Sequence, residues 1–233
     1  MTSEKNRLST FRPEYFPSVE YFWCFAQCNS IVLTDHFQYS KRKAFSISAP
    51  INNSDTVLTI PVSHDNELNP VFRKIISYDH DWPIKHYSTI KHQYQRQPYA
   101  YLYLPKIEKL LFSGEPNLST FLTKQISQIS DWLNFNVEIN QASEIGYQPD
   151  NNNCIIDWCR LFKSSTYINS SFVFENNFVD EDKLKQKAIS SMLFIKYPTA
   201  SIYQYYKNLS ILSFLFQFGP EAGYLIKQFL TYT

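Results

Sequence analysis

Residues 11–45 constrain the fold of this chain more than any other stretch. They contain a turn with prolines at Pro13 and Pro17, an amphipathic helix predicted over residues 18–27, and a short apolar strand predicted over residues 31–33. A cluster of polar side chains follows this strand at once. Open α/β sheets bind ligands beyond the carboxyl ends of their strands. The βαβ-like opening therefore predicts an α/β fold and a binding site at this edge of its sheet.

Composition limits the class of protein. The 233 residues suit one large domain, and the 44% hydrophobic share is enough for a real core. The 17% aromatic share has two interpretations, which are filling of the core or a surface that stacks sugars or bases. Only four glycines are present, and no glycine-rich phosphate loop occurs. The net charge of +1 gives no broad attraction to nucleic acid, so we expect no nucleic-acid partner.

The cysteines and the apolar stretches indicate in which cellular compartment the protein is expected. Cys24 and Cys28 stand one helical turn apart, and Cys154 and Cys159 are five positions apart, which are not zinc-ribbon spacings. We interpret all four as reduced core thiols. Residues 1–16 carry no apolar run, and no stretch approaches the roughly 18 apolar residues of a membrane-spanning helix. These features favour a cytoplasmic protein without a transmembrane segment.

The remaining chain extends the α/β pattern. A first strand is predicted over residues 8–11, and the later elements are predicted as strands over 45–51, 56–62, 71–78 and 137–139 and as helices over 82–94, 101–112, 118–135, 155–162 and 183–194. Ser210 caps an apolar helix that stops at Gly219, and a last helix begins at Glu221. Together these elements predict a mixed, mostly parallel sheet flanked by helices, with a mainly helical C-terminal part.

The loop QPDNNN at residues 148–153 is the best internal boundary. It divides an α/β core over residues 1–147, which carries the predicted site, from a mainly helical part over residues 148–233. No linker of low complexity separates the two parts. We therefore expect the second part to pack on the first as a single domain.

Asp35 and His36 are the candidate catalytic residues. They follow the apolar strand directly, where an acid–base group would be placed, although a plain polar role for His36 stays open. Beyond them the basic run Lys41-Arg42-Lys43 offers cations for phosphate or carboxylate, with a solvated loop as the alternative interpretation. His80, His86 and His92 are six positions apart and do not converge on one helix face, so no metal site is predicted.

An ordered set of motifs resembles the WbqC-like protein family. The matching residues, in chain order, are Pro13, Tyr15, Phe16, Pro17, Tyr21, Phe22, Asp35, Gln38, Tyr39, Lys41, the run LTIPV at 58–62, Trp82, His86, Thr89, Ile90, Tyr94, Pro98, Tyr99, and NLSIL with GPE at 208–221. The resemblance covers nearly the whole chain and is closest to the short forms of the family.

The resemblance implies a role in surface-polysaccharide (O-antigen-like) biosynthesis, because family members lie in such gene clusters. For some, transfer of glycine or another acyl or aminoacyl group to a sugar has been suggested. We therefore expect a transferase that acts on a nucleotide- or lipid-linked sugar, with a nucleotide-sugar or other phosphorylated small molecule as its partner. The expected substrate-binding residues are Pro13, Tyr15, Gln38, Tyr39, Lys41, Arg42 and His86.

Two departures keep a second hypothesis open. The family usually carries Asn-Arg shortly after the lysine, where this chain has the segment Phe45-Ser46-Ile47-Ser48, and it often carries Asp where this chain has Ser213. The alternative is thus a non-catalytic binding or assembly protein of the same pathway. Robust turnover by the isolated chain would remove it. The sequence names no cofactor and no oligomeric state.

Overall fold

Five strands form one parallel sheet with the order β3-β2-β1-β4-β5. The strands are β1 Arg7–Phe11, β2 Ser30–Leu33, β3 Glu138–Gln141, β4 Thr166–Asn169 and β5 Ser190–Leu193. Each neighbouring pair is parallel. The structure is a computed structural model, which describes residues 6–39, 58–63, 69–169, 179–193 and 201–228. The predicted α/β class is confirmed, and this sheet is parallel throughout.

Helices account for most of the other described residues. They are α1 Val19–Phe25, α2 Trp82–Tyr94, α3 Ala100–Leu111, α4 Leu118–Trp132, α5 Ala142–Ile145, α6 Asn151–Leu161, α7 Glu181–Gln186, α8 Ser201–Tyr206, α9 Ile211–Phe218 and α10 Ala222–Gln228. Side chains cap several of them at the N-terminus, where backbone N–H groups lack helical partners. Ser18 caps α1, Asn117 caps α4 and Ser210 caps α9. No helix in the described ranges is long and apolar enough to cross a membrane.

Side chains of the strands alternate between two hydrophobic layers, as the two-residue period of a strand requires. On β2, Ile31 and Leu33 join the larger cluster with α1 and α4, whereas Val32 faces the other side. There Val32 packs with Leu8 and Tyr167 against α6. Helices thus cover both faces of the sheet, which is the usual environment of parallel strands.

The order of the strands shows where the chain crosses from one side of β1 to the other. From β1 the chain runs through β2 to β3 on one side, and β4 and β5 lie on the other side of β1. The strand order therefore reverses between β1 and β4, and the turn after β1 lies at this point of the carboxyl edge. Ligands of open parallel sheets bind at such a switch point.

The strand predicted over residues 71–78 is wrong. A short 3₁₀ helix occupies Val71–Arg73, and Ile75 and Ile76 form only isolated bridges. The start of α4 lies against this stretch, since the Leu118 N–H donates to the carbonyl of Lys74. In the predicted strand 56–62, the described residues 58–62 contain one isolated bridge and no strand. The predicted strand 45–51 lies outside the described residues.

The helix predicted over residues 183–194 is also wrong. Helix α7 ends at Gln186, because Ala188 takes a left-handed conformation with φ of 59° that an α-helix does not continue through. Strand β5 follows and pairs with β4. Both strands are four residues long, and both belong to the sheet that contains β1. The helix predicted over residues 82–94 is confirmed at both ends.

Candidate functional site

The loops at the carboxyl edge of β1, β2 and β3 carry the candidate site. The first leads from Arg12 to the cap of α1, the second spans residues 34–39, and the third joins β3 directly to α5. Most of the residues singled out from the sequence lie on the first two loops.

Asp35 is completely buried and anchors the second loop. Its Oδ2 accepts hydrogen bonds from Ser119 Oγ at 2.7 Å, Gln141 Nε2 at 3.1 Å and Ser143 Oγ at 2.6 Å, and its Oδ1 accepts one from the Ser143 N–H at 2.9 Å. A buried carboxylate needs such donors to offset the loss of water. The geometry therefore joins the end of β2 to β3, α4 and α5 through this one side chain.

Backbone hydrogen bonds hold the other side of the same loop. The N–H of Phe72 donates to the Asp35 carbonyl at 3.1 Å, and the N–H of Val71 donates to the Phe37 carbonyl at 3.0 Å. The Tyr39 N–H donates to Asn69 at 3.1 Å. With the Asp35 carboxylate fixed as well, the loop holds His36 between two sets of anchors.

His36 is partly buried among aromatic rings. Its ring stacks on Tyr147 with centroids 4.7 Å apart and an angle of 22°, and Trp158 approaches it edge-on at 6.0 Å. Both ring nitrogens are buried and have no hydrogen-bond partner among the described residues. Burial lowers the pKa of His36, while the charge of Asp35 opposes this. A neutral imidazole offers one donor and one acceptor.

Tyr15 and His86 form a separate pair in the core. The Tyr15 hydroxyl is 2.9 Å from Nδ1 of His86, and both residues are buried. Burial lowers the pKa of His86 to about 4, opposed by a hydrogen bond with the backbone of Thr59. Within the described ranges, no hydrogen bond or ring contact joins this pair to Asp35 or His36. The pair lies beneath the edge and packs the Pro13–Pro17 turn against α2.

The other expected binding residues occupy different settings. Gln38 is exposed and forms an isolated bridge with Pro70. Tyr39 is buried, with Lys74 Nζ 5.2 Å from its ring centroid. Pro13 is buried in the first loop. Lys41 and Arg42 lie outside the described residues.

Glu14 is a functional candidate that the sequence interpretation missed. It stands between Pro13 and Tyr15, in the turn that follows β1 at the switch point. Burial raises the pKa of its carboxyl to about 7, although the nearby Arg12 opposes this. Gln125 Nε2 donates to the Glu14 carbonyl at 3.4 Å and so ties the turn to α4. A carboxyl with a pKa near the working pH can both give and take a proton.

A continuous row of rings and guanidinium groups also crosses this edge. We call it the aromatic–arginine row, and it consists of Arg12, Phe37, His36, Tyr147, Phe72 and Arg73. Cζ of each arginine lies 5.6 Å from the ring centroid of its partner, Phe37 for Arg12 and Phe72 for Arg73. The centroids of His36 and Phe37 are 4.3 Å apart, and those of Phe72 and Tyr147 are 6.3 Å apart.

Comparison with known proteins gives one match. No curated protein and no solved structure matches the chain. The model of the family described as WbqC-like protein family matches residues 12–224, from the turn after β1 to α10. This range includes Glu14, the Asp35 hydrogen-bond network and the whole aromatic–arginine row. The chain therefore belongs to the WbqC-like protein family.

Proposed function

We propose that the protein is a transferase of surface-polysaccharide biosynthesis, which moves an acyl or aminoacyl group onto an activated sugar at the carboxyl edge of the sheet. Membership of the family suggests involvement in polysaccharide-related biosynthesis. The observation that carries the step to a transferase is the place of Glu14, a half-buried carboxyl beside Arg12 in the turn after β1, where burial raises its pKa to about 7. Such a group is suited to acid–base work at neutral pH.

The proposed chemistry uses Glu14 as the base. An amine or hydroxyl of the sugar attacks the carbonyl carbon of an activated acyl donor, such as a thioester, and Glu14 takes the proton that the nucleophile loses. The tetrahedral intermediate then collapses, and Glu14 returns this proton to the leaving group. Arg12 favours the charged form of Glu14, because its guanidinium lowers the carboxyl pKa that burial raises.

Asp35 and His36 take different roles in this proposal. The carboxylate of Asp35 is buried and accepts four hydrogen bonds, so we assign it to positioning of the second loop. His36 has two ring nitrogens without partners among the described residues, which supports a role in binding or proton transfer. Lys41 and Arg42 stay as proposed phosphate-binding residues on sequence grounds alone.

A transfer assay with a matched variant tests the proposal. The protein is incubated with nucleotide-linked and lipid-linked amino and hydroxy sugars and with acyl thioesters or aminoacyl donors, and products are detected by their mass increase. We expect Glu14→Gln to lower the rate by about 100-fold. Glu144→Gln changes an exposed carboxylate at the same edge and should leave the rate unchanged. Equal rates for wild type and Glu14→Gln, or no product from any pair, would contradict the proposal.

One observation favours the second candidate, a non-catalytic binding or assembly protein. Ser213 stands where many family members carry Asp, and here it is buried with its Oγ 2.8 Å from the hydroxyl of Tyr94. In this chain the Ser213 side chain therefore belongs to the packed core between α2 and α9. If ligands bind to wild type and to Glu14→Gln alike and neither protein turns them over, this candidate replaces the transferase.

A further inference from the structure

We propose that the aromatic–arginine row binds the nucleoside diphosphate part of a nucleotide-linked sugar, with the base stacked on Tyr147 and the diphosphate held by Arg73. This inference rests on the proposed function, and it selects the nucleotide-linked sugar over the lipid-linked one.

The ring of Tyr147 provides the stacking surface. One face lies on His36 at 4.7 Å, and Phe72 approaches it at an angle of 56°, yet 46% of the residue is exposed. The exposed part of the ring is thus available to a planar group. Every nucleobase has such a face, and stacking on aromatic side chains is a common means of binding bases.

Hydrogen bonds of neighbouring residues hold Tyr147 in place. The indole Nε1 of Trp158 donates a 2.8 Å hydrogen bond to the carbonyl of Gly146, the residue before Tyr147. Gly146 has a φ of 93°, which favours glycine at this point of the chain. Because α6 carries Trp158 and the carboxylate of Asp35 holds the start of α5, the platform is anchored at two points. A preorganised platform loses less entropy when a ligand binds.

Arg73 supplies the charge that a diphosphate needs. It is exposed, its guanidinium lies over Phe72 beside Tyr147, and no carboxylate of the described residues forms an ion pair with it. A guanidinium can bind phosphate oxygens through two parallel hydrogen bonds. Arg12 lies at the opposite end of the row, next to Glu14, and is not part of this diphosphate site.

His36 supports the Tyr147 platform. Its two ring nitrogens are buried without hydrogen-bond partners among the described residues. Because these atoms are enclosed, His36 contributes to the platform through its stacking on Tyr147 and not through a hydrogen bond to the base. A lipid-linked sugar would instead need a long apolar groove, whereas this surface is a row of rings with a guanidinium at each end.

Binding of simple probes tests the inference. We would titrate UDP, ADP and GDP against the full chain by calorimetry, beside inorganic pyrophosphate, the free nucleosides and a short-chain polyprenyl diphosphate. Saturation-transfer NMR then shows which ligand protons touch the protein. We expect at least one nucleoside diphosphate to bind more tightly than pyrophosphate and than the polyprenyl diphosphate, with the strongest transfer to its base protons.

Three variants test which side chains bind the nucleoside diphosphate. Tyr147→Ala should weaken it about tenfold or more, whereas Tyr147→Phe keeps the ring and should stay within about threefold of wild type. Arg73→Ala should weaken binding and reduce its dependence on salt. Tyr224→Ala removes an exposed tyrosine of α10, 65% accessible, and serves as the control. Thermal melting checks that each variant is folded.

The outcomes separate this inference from the proposed function. Equal affinity for pyrophosphate and nucleoside diphosphates, or undiminished affinity in Tyr147→Ala, would overturn the base platform. Transfer onto lipid-linked sugars without nucleotide binding would overturn this inference and leave the transferase standing. Nucleotide binding at Tyr147 without transfer to any acceptor would support this inference and overturn the transferase.

Discussion

Ser119 Oγ donates a 2.7 Å hydrogen bond to Oδ2 of Asp35 and so links the first turn of α4 to the end of β2. Neither residue is exposed. The same carboxylate oxygen also accepts from Gln141 and Ser143, which extends the link to β3 and α5. The Asp35 carboxylate therefore holds one side of the loop that carries His36 and Phe37, and backbone hydrogen bonds with residues 69–72 hold the other.

Asp35→Asn should destabilise the fold strongly. The amide of asparagine places an N–H donor where the carboxylate accepted hydrogen bonds, so it faces the donors of Ser119, Gln141 or Ser143. We therefore expect a loss of about 3 kcal/mol in the free energy of unfolding. Urea denaturation measures it. Asp131→Asn changes an exposed aspartate of α4 and should shift the free energy by less than about 0.5 kcal/mol. A similarly small change in Asp35→Asn would show that the network contributes little.

His86 should make the protein sensitive to acid. Its pKa is lowered from 6.5 to about 4 in the folded state. Burial keeps the His86 imidazole neutral in the folded protein, whereas the unfolded chain takes up a proton near pH 6.5. The contribution of His86 to stability is therefore full above pH 6.5 and is lost as the pH falls toward 4. We expect this one group to account for about 3 kcal/mol over that window.

The test compares two histidines of α2. As the pH falls from 7 to 4, the unfolding free energy of His86→Gln should rise by about 3 kcal/mol relative to that of wild type, because the difference between the two proteins cancels the contribution of Glu14. His92 is exposed on the same helix, so His92→Gln should follow the wild-type curve. Parallel curves for wild type and His86→Gln would contradict the assigned pKa.

Gly223→Ala should disrupt the packing of α10. A Cβ at this position would lie 1.8 Å from the carbonyl oxygen of Leu133, and backbone cannot yield as a flexible side chain does. We expect a loss of at least about 2 kcal/mol in unfolding free energy. Gly114→Ala is the comparison, because no atom lies within 4 Å there and only its φ of 68° resists the change. That strain should cost about 1 kcal/mol. Equal losses in the two variants would refute close packing at Gly223.

Glu14→Gln should stabilise the protein above neutral pH. The folded-state pKa of about 7 lies above the ordinary glutamate value of 4.5, so the contribution of Glu14 to stability is full below pH 4.5 and is lost as the pH rises through 7. Relative to pH 4, the variant should gain up to about 3 kcal/mol over wild type at pH 8. Taking the difference between the two proteins cancels the contribution of His86. A constant difference between pH 4 and pH 8 would mean that the carboxyl titrates normally.

Local sequence patterns predicted the helices and strands that are determined by residues close together in the chain. The helix over residues 82–94 follows from its apolar spacing and from Pro83 in its first turn. Strands β4 and β5 were missed, because four residues with several polar side chains carry no strand pattern of their own. They exist through pairing with each other and with β1.

The sequence predicted where Asp35 and His36 lie but not what surrounds them. Both follow β2 at the carboxyl edge of the sheet, as the apolar strand before them indicated, and their catalytic role stays a prediction. The partners of Asp35 are 84 and 108 positions away at Ser119 and Ser143, so its burial was invisible in the sequence. The near-neutral pKa of Glu14 likewise arises from tertiary burial and not from its neighbours in the Pro-rich turn.

The most direct test of the account is an NMR titration of the Glu14 side-chain carboxyl carbon, assigned by the resonance that disappears in Glu14→Gln. The account predicts a midpoint near pH 7, because burial at the carboxyl edge outweighs the charge of Arg12. A midpoint near 4.5, the ordinary value of a glutamate, would contradict the assignment of Glu14 as the acid–base group.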